Sequence, residues 1–456
     1  MAVDHQPGRR SERCLSLVPR PPGRLPWPDP GGRMRLTVIG LNYRPELTGI
    51  AVYTTGLAER LASDRGNSVH VIAGYPHYPE WRVHAGFTGL SRTDESAGVT
   101  VKRLRHYIPS RPRLINRLAM EIQFGLRAAF SSWDRPEVLL LVTPALFSAA
   151  IVSLRARLVG TRTCIWVQDI YSLGVSESGA GGRIAALALR RVERAVLGSA
   201  STIVVIHERF KRYLVAELGI EADRVEVVRN WCHIEDAPGN RVETRRARGW
   251  GPDDIIVLHA GNMGMKQGLE NVVAASRIAE SRGSRVRFVL LGDGNQRPAL
   301  QAEGGNSHLE FLRPLPEDEF RATLAAADVL LLNERPGLTE MSVPSKLTSY
   351  FQSGLPVIAA TDRSSITAEE LAVAGAGLRV DAAAPDALVE AAERLGLDAK
   401  ASHAYGVAGR RFAADILGVG PAITRFQAIL ERLAPRQREE RDDRAPIVPP
   451  PPVRGF

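Results

Sequence analysis

Short apolar runs rich in Val, Ile and Leu alternate along the chain with longer segments whose apolar residues recur at helical spacing. The first half predicts strands over 35–40, 68–73, 99–104, 137–142, 162–168, 201–206 and 224–229, with helices over 51–65, 113–132, 144–159, 183–198 and 207–218. After a polar stretch the alternation restarts, with strands predicted over 255–260, 285–291, 308–312, 328–332, 356–360 and 377–380. Alternating strands and helices favour parallel sheets that are covered on both faces. The pattern therefore predicts an α/β protein with two doubly wound, Rossmann-like domains that face each other across a cleft.

The two ends of the sequence lack this alternation. They are rich in Pro, Gly and charged residues, and the N-terminal end has no apolar run of the kind found in secretion signals. We therefore expect disordered extensions at 1–33 and 435–456, an N-terminal domain at 34–232 and a C-terminal domain at 233–434, with a last helix, 401–433, that crosses back.

Residues 138–154 contain no charged side chain, a run at the lower limit for a membrane-spanning helix. Pro144 divides the run into a strand-like half and a helix-like half, and Arg155 and Arg157 follow directly. We therefore interpret the run as a buried strand, a turn and a helix, and predict no transmembrane helix.

Composition narrows the class of protein. The 456 residues are 44% apolar and 24% charged, which is ordinary for a folded chain of two or three domains. The three cysteines include no CxxC pair, which argues against a disulfide framework and a zinc site and favours the cytoplasm. Of the net charge of +9, residues 34–240 carry +7 and residues 241–434 carry −2. The first half is therefore expected to face something anionic.

The basic charge is densest at 102–127, where seven Arg and Lys residues accompany a single acid, Glu121. Apolar residues recur at helical spacing from Leu114, and Arg111, Arg113 and Arg117 lie near the start of this helix. Such a segment is typical of a helix that rests on an anionic lipid surface, but also of a core-facing helix with solvated arginines. No recognised nucleic-acid-binding module surrounds it, so we predict no nucleic-acid partner.

Ligands of doubly wound domains bind beyond the carboxyl ends of the strands, so the loops there are the candidate sites. Gly49 begins a helix without a GxGxxG fingerprint, and either admits a phosphate to the backbone amides or forms an ordinary turn. The second half begins with a loop, 261–268, that holds three glycines and Lys266. This composition favours pyrophosphate binding, with a flexible loop as the alternative.

Two further strand ends carry polar residues. Pro344 precedes Ser345 and Lys346 in the first turn of a helix, where amides favour anions, and Glu340 before it is a candidate for sugar or ribose hydroxyls. A capped surface helix is the alternative. Asp169 follows the strand 162–168 and is either an acceptor-hydroxyl contact or base, or a turn cap. The chain contains no Asp-x-Asp, so we predict no metal site of that kind.

Seven short motifs in this order resemble the retaining glycosyltransferases of family 4, which have the GT-B fold, and within them bacterial exopolysaccharide transferases of colanic-acid-type gene clusters. The motifs are YRPELTG at 43–49, GYPHYPEW at 74–81, VQD at 167–169, GNMG at 261–264, LGDG at 291–294, VPSK at 343–346 and SGLPV at 353–357. The resemblance covers residues 34–434.

The resemblance implies transfer from a nucleotide-diphosphate sugar to a saccharide or polyprenyl-diphosphate-linked acceptor, with retention and without a cofactor. It places the enzyme in the cytoplasm, peripherally on the anionic inner face of the membrane. By position, the catalytic residues would be Asp169, Lys266 and Glu340. The donor-binding residues would be Gly49, Gly261, Asn262, Lys266, Ser345, Lys346 and Ser349, and the acceptor-binding residues His77 and Tyr78.

The sequence departs from the family pattern at several positions. Gln168 stands where many members have histidine, Asn262 where many have arginine, and Met341 and Ser349 where many have a pair of glutamates. These departures leave two alternatives open: a sugar-nucleotide epimerase of GT-B fold, and a non-catalytic partner that binds sugar nucleotides. An NAD-dependent oxidoreductase is disfavoured because neither half has GxGxxG after its first strand.

Overall fold

Buried runs of Val, Ile and Leu form the central strands. The computed structural model describes residues 33–46, 49–65, 67–110, 114–178, 182–232, 240–337 and 345–434. Within them the first sheet contains β1 (Arg35–Gly40), β2 (Ser68–Gly74), β3 (Ser91–Ser96), β4 (Val99–Leu104), β5 (Val138–Val142), β6 (Arg162–Val167), β7 (Thr202–Val205) and β8 (Val225–Val227). The second contains β9 (Ile255–Ala260), β10 (Val286–Leu291), β11 (Leu309–Leu312), β12 (Val329–Asn333), β13 (Val357–Ala360) and β14 (Gly377–Val380).

Helices cover both sheets. Those of the first half are α1 (Ile50–Arg65), α2 (Leu114–Ala129), α3 (Leu146–Leu158), α4 (Tyr171–Ser178), α5 (Gly182–Gly198) and α6 (Glu208–Ala216). Those that follow are α7 (Arg241–Ala247), α8 (Glu270–Ser281), α9 (Arg297–Glu303), α10 (Glu317–Ala326), α11 (Lys346–Ser353), α12 (Ile366–Ala374), α13 (Pro385–Leu397), α14 (Ala399–Ile416) and α15 (Val419–Leu433).

The strand orders place the candidate sites. The first sheet runs β3-β4-β2-β1-β5-β6-β7-β8 and the second β11-β10-β9-β12-β13-β14. All described pairs are parallel except β3 with β4. The chain changes direction across the sheet between β1 and β5 and again between β9 and β12, and such switch points open crevices at the carboxyl ends of the strands. The predicted α/β fold with two doubly wound sheets is confirmed.

The C-terminal region returns to the first half. The stretch 401–433, predicted as one helix, consists of α14 and α15 with a break at Leu417 and Gly418. Phe426 of α15 packs on Trp166 of the first sheet, with ring centroids 4.8 Å apart. The predicted boundary between residues 232 and 233 adjoins 233–239, which lie outside the described residues, as do 1–32 and 435–456. The domain limits and the two disordered extensions therefore stay predictions.

Several elements differ from the predicted pattern. β3 was not predicted, because its sequence SRTDES has no apolar alternation. It is an exposed edge strand that pairs antiparallel with β4 through a turn in which Ala97 and Gly98 both have positive φ. The short helices α4 and α7 were also not predicted.

The uncharged run 138–154 is β5, a turn at Pro144 and part of α3, which confirms its interpretation. In the part of the chain that the structure describes, no helix combines the length and hydropathy needed to cross a bilayer.

Candidate active site

A cavity of about 460 Å³ lies at the carboxyl ends of β1, β5 and β6. Four residues that the sequence singled out, Gly49, His77, Tyr78 and Asp169, all line it. They come from loops that are far apart in the sequence, and the switch between β1 and β5 brings them together.

Glu46 ties two of these loops together. Its carboxylate is buried, and Oε1 accepts hydrogen bonds from the backbone N–H groups of His77 and Tyr78 at 2.8 and 2.9 Å. Oε2 accepts from the side-chain amide of Asn42 at 2.9 Å. Gly49 begins α1 with φ of +63°, a left-handed conformation that favours glycine. The start of α1 is therefore held beside His77 and Tyr78.

Asp169 follows β6 and remains open to the cavity, although protein surrounds its carboxyl group. Burial raises the pKa of Asp169 to about 6, and the positive charges of Lys266 and Arg117 oppose this rise. Its neighbour Gln168 forms a reciprocal amide pair with Asn230, at 2.9 and 3.3 Å. Gln168 is thus held by protein contacts, and Asp169 is the ionisable group at this strand end.

Sequence reasoning missed Glu121 and misjudged Arg117, which both project from α2 into the same cavity. Glu121 is buried: Oε2 accepts from the backbone N–H of Phe147 at 3.1 Å, and Oε1 accepts from the hydroxyl of Tyr171. Burial raises the pKa of Glu121 to about 7. The sequence feature that could have identified Glu121 is that it is the single acid in a strongly basic segment.

Replacing Glu121 by glutamine should stabilise the protein at alkaline pH. The folded protein binds more protons than the unfolded chain between the ordinary glutamate pKa and about 7, so stability falls as pH rises through this window. Glutamine keeps an acceptor for Phe147 and carries no charge, so we expect a gain of up to about 3 kcal/mol at pH 8. Denaturant unfolding at about pH 5 and about pH 8 measures it. The exposed Glu80→Gln is the control, and a less stable Glu121→Gln at pH 8 would contradict the account.

In the second half, Gly261 and Lys346 meet at the end of β9. Gly261 has φ of +128°, and a Cβ there would lie 2.7 Å from Cε of Lys346. Nζ of Lys346 lies 2.9 Å from Nε2 of the buried His259. Burial lowers the pKa of Lys346 to about 7, whereas Glu334 favours its charged form. His259 and Glu334 were not predicted, because their role depends on where α11 packs.

The glycine-rich loop is fixed by its backbone, whereas the side chain of its lysine has no hydrogen bond or ion pair within the described part of the chain. The backbone N–H of Arg335 donates to the carbonyl of Lys266 at 2.8 Å, and the amide of Asn333 donates to the carbonyls of Gln267 and Gly268. The side chains of Lys266 and Asn262 are exposed. Lys266 is therefore presented to the cleft, close enough to influence the pKa of Asp169.

Three other predicted residues have different outcomes. Ser345 is exposed beside α11, and its hydroxyl caps no backbone N–H of that helix. Ser349 is buried in the middle of α11, so it does not open onto the cavity described above. Glu340 lies in 338–344, outside the described residues.

Ion pairs join the two halves beside the cleft. Glu370 of α12 accepts a hydrogen bond from the guanidinium of Arg229 and lies 2.9 Å from Nε2 of His207. Arg209 donates to Glu369 at 2.6 Å. Burial acts to raise the pKa of Glu370, but the hydrogen bond with His207 and the charge of Arg229 lower it overall. These contacts link α12 to the first half of the chain.

Known proteins match both halves of the chain. The family described as "Glycosyl transferase 4-like domain" matches residues 48–231, and the family described as "Glycosyl transferases group 1" matches residues 254–398. WcaI of Escherichia coli K12, whose name assigns it to colanic acid biosynthesis as a glycosyl transferase, is 32% identical over 70% of this chain and 82% of its own length. The 2-deoxystreptamine glucosyltransferase of Streptomyces kanamyceticus is 27% identical over 54% of this chain and 68% of its own.

Solved structures share the fold. Sucrose-phosphate synthase of Thermosynechococcus elongatus superposes with a TM-score of 0.68 at 16% identity, covering 88% of this chain and 99% of its own. HepE of Anabaena, solved with UDP and glucose, gives a TM-score of 0.64 at 14% identity, covering 88% of this chain and all of its own. The chain belongs to the family-4-like glycosyltransferases of GT-B type. It is related to enzymes of exopolysaccharide biosynthesis.

Proposed function

We propose that the protein transfers a sugar from a nucleotide-diphosphate donor to a saccharide acceptor, with retention of the anomeric configuration. The observation that carries this proposal is that Asp169, at the carboxyl edge of the first sheet, lies close enough to Lys266, in the glycine-rich loop of the second, for the charge of the lysine to lower the pKa of the carboxyl group. A carboxylate suited to an acceptor hydroxyl thus faces a cation suited to a leaving diphosphate.

The donor binds at the second sheet in this proposal. Gly261 permits close approach of the backbone, and Lys266, together with Lys346 in its protonated form, supplies positive charge to a diphosphate. HepE of Anabaena, which shares the fold, was solved in complex with UDP-glucose. This supports a nucleotide-sugar donor for the present chain.

The acceptor binds in the cavity of the first sheet, against His77 and Tyr78. Asp169 accepts a hydrogen bond from the attacking hydroxyl, and Lys266 stabilises negative charge on the departing diphosphate. If Asp169 binds the incoming hydroxyl and Lys266 the leaving oxygen, both act from the same side of the cleft, on one face of the sugar. This arrangement supports retention, and Glu340 stays a proposed third catalytic residue.

The test is release of nucleotide diphosphate from a panel of sugar nucleotides, with and without a lipid-linked saccharide extract as acceptor. Transfer predicts release that depends on the acceptor, with the sugar recovered on the lipid. An epimerase would convert the donor without an acceptor, and a non-catalytic partner would bind the donor and release nothing.

We also propose that the enzyme works peripherally on an anionic membrane surface. Large apolar side chains are exposed along one side of α2 and just beyond it, at Ile115, Ile122, Leu126 and Phe130, the last with 88% of its surface exposed. On α3, Leu154 and Leu158 are also exposed. The two helices are adjacent, because Arg155 donates to the carbonyls of Ala129 and Ser131. These six side chains form what we term the apolar face. Arg117 lies in the cavity and is not part of it.

Replacing Leu126 and Phe130 of the apolar face by serine should weaken vesicle binding. Each side chain that inserts at the lipid interface loses its contact with water, so we expect the pair to cost about ten-fold or more in partitioning. Sedimentation with phosphatidylglycerol and with phosphatidylcholine vesicles measures it, and stronger binding to the anionic lipid is expected. Leu397→Ser, at an exposed apolar residue of α13, is the matched control. Equal binding by both variants would contradict the membrane proposal.

A further inference from the structure

Arg117 is a cation in the acceptor cavity that pairs with no described residue. It projects from α2 into the cavity, and it forms no hydrogen bond or ion pair with any residue that the structure describes. Its Nε is shielded from solvent and has no acceptor. A guanidinium carries five donors and stays charged, so a buried donor without an acceptor is costly unless a ligand supplies one.

The two nearby carboxylates do not satisfy Arg117. Both oxygens of Glu121 already accept hydrogen bonds, from Tyr171 and from Phe147, and its charge is partly suppressed by burial. Among the described contacts, Asp169 forms no hydrogen bond or ion pair with Arg117, and Nε of Arg117 has no acceptor. The guanidinium therefore faces the cavity with its donors available, although both acids are close enough to feel its charge.

The rest of the cavity wall is compatible with a bound anion. The helices α1 and α3 both begin at the cavity wall, beside Gly49 and Ala145. No described side chain caps the start of α3. Helix N-termini carry partial positive charge, which adds to the charge of Arg117. Arginine also binds carboxylate and phosphate groups through paired, parallel hydrogen bonds.

We propose that the acceptor carries an anionic group beside the sugar unit that is extended, and that Arg117 binds this group. The group is a phosphate if the unit is attached directly to a polyprenyl phosphate or diphosphate, or a carboxylate if a uronic acid is adjacent. The inference rests on the proposed acceptor site and adds the chemical class of its ligand.

The test uses the full chain with its donor site filled by excess UDP, or by whichever nucleotide diphosphate stabilises it. Glucose 1-phosphate, glucuronic acid and glucose are titrated separately while tryptophan fluorescence is recorded, because Trp81 lines the cavity. A Trp81→Phe variant identifies the signal that comes from this site. We expect at least one anionic probe to bind about ten-fold more tightly than glucose, and the better probe identifies the phosphate or carboxylate source.

Arg117→Gln should abolish this preference, Arg117→Lys should keep part of it, and Arg60→Gln, at an exposed arginine of α1, should keep all of it. Three results would overturn the inference. Glucose could bind as tightly as the anions, neither anion could bind, or the preference for the anion could survive in Arg117→Gln. If no nucleotide diphosphate binds, the donor proposal fails, whereas the same titration without nucleotide still reports on Arg117.

Discussion

Replacing Lys266 by alanine is expected to reduce sugar transfer by about 100- to 1,000-fold, the usual cost of losing one group that stabilises charge in a transition state. In the proposed reaction, negative charge builds on the diphosphate oxygen as its bond to the sugar breaks, and Lys266 is the proposed cation beside that oxygen. The fold should be unaffected, because the side chain is exposed and only the backbone of Lys266 is hydrogen-bonded to Arg335.

The measurement is turnover of the donor with acceptor present, together with the thermal midpoint of each variant. Lys400→Ala removes a lysine from the exposed start of α14 and should leave turnover unchanged. Near-normal transfer by Lys266→Ala would exclude this lysine from the catalytic site, because the loss of a cation that stabilises the leaving group must slow transfer.

Replacing Asp169 by asparagine is expected to lower turnover by about 100- to 10,000-fold, the range for a positioned proton acceptor. The variant keeps the shape of the side chain but cannot take a proton from an acceptor hydroxyl. Because burial raises the pKa of Asp169 to about 6, the active carboxylate form is lost as pH falls through that value. Wild-type activity should therefore rise between about pH 5 and about pH 7.

A pH profile of initial rates for the wild type and Asp169→Asn provides the measurement. The residual activity of the variant should lack the rise near pH 6, while its stability at pH 8 should be no lower than that of the wild type. Asp223→Asn, at an exposed aspartate, should reproduce the wild-type profile. An unchanged profile in Asp169→Asn would assign the acidic limb to another group, with Glu121 the next candidate.

Most of the fold follows from the sequence because the central strands are buried on both faces and therefore appear as continuous apolar runs. Strands such as β5 and β9 were predicted for this reason. β3 could not be predicted in this way, because an exposed edge strand needs no apolar side chains and is defined by its pairing with β4. The break between α14 and α15 was also missed, because the apolar pattern continues across it.

The site was only partly predictable. Asp169 was identified because it follows a strand of the first half, and Gly49 because it begins the helix after the first strand; the ends of parallel strands gather at one edge of the sheet. Glu121 and Arg117 sit inside a helix, where nothing in the local pattern separates a residue that faces the cavity from one that faces solvent. Their significance arises when α2 packs against α3, which brings Glu121 to Phe147 and Tyr171. Similarly, His259 becomes important through its contact with Lys346.

The central claim is that the second sheet binds a nucleotide diphosphate, and thermal unfolding of the full chain tests it most directly. UDP, GDP, dTDP, ADP and NAD are each added in large excess. A ligand at a hundred times its dissociation constant stabilises the folded state by about 2.7 kcal/mol, which raises the midpoint by several degrees. We predict that a nucleoside diphosphate raises the midpoint and that the shift is lost in Lys266→Ala. Stabilisation by NAD alone would contradict the account.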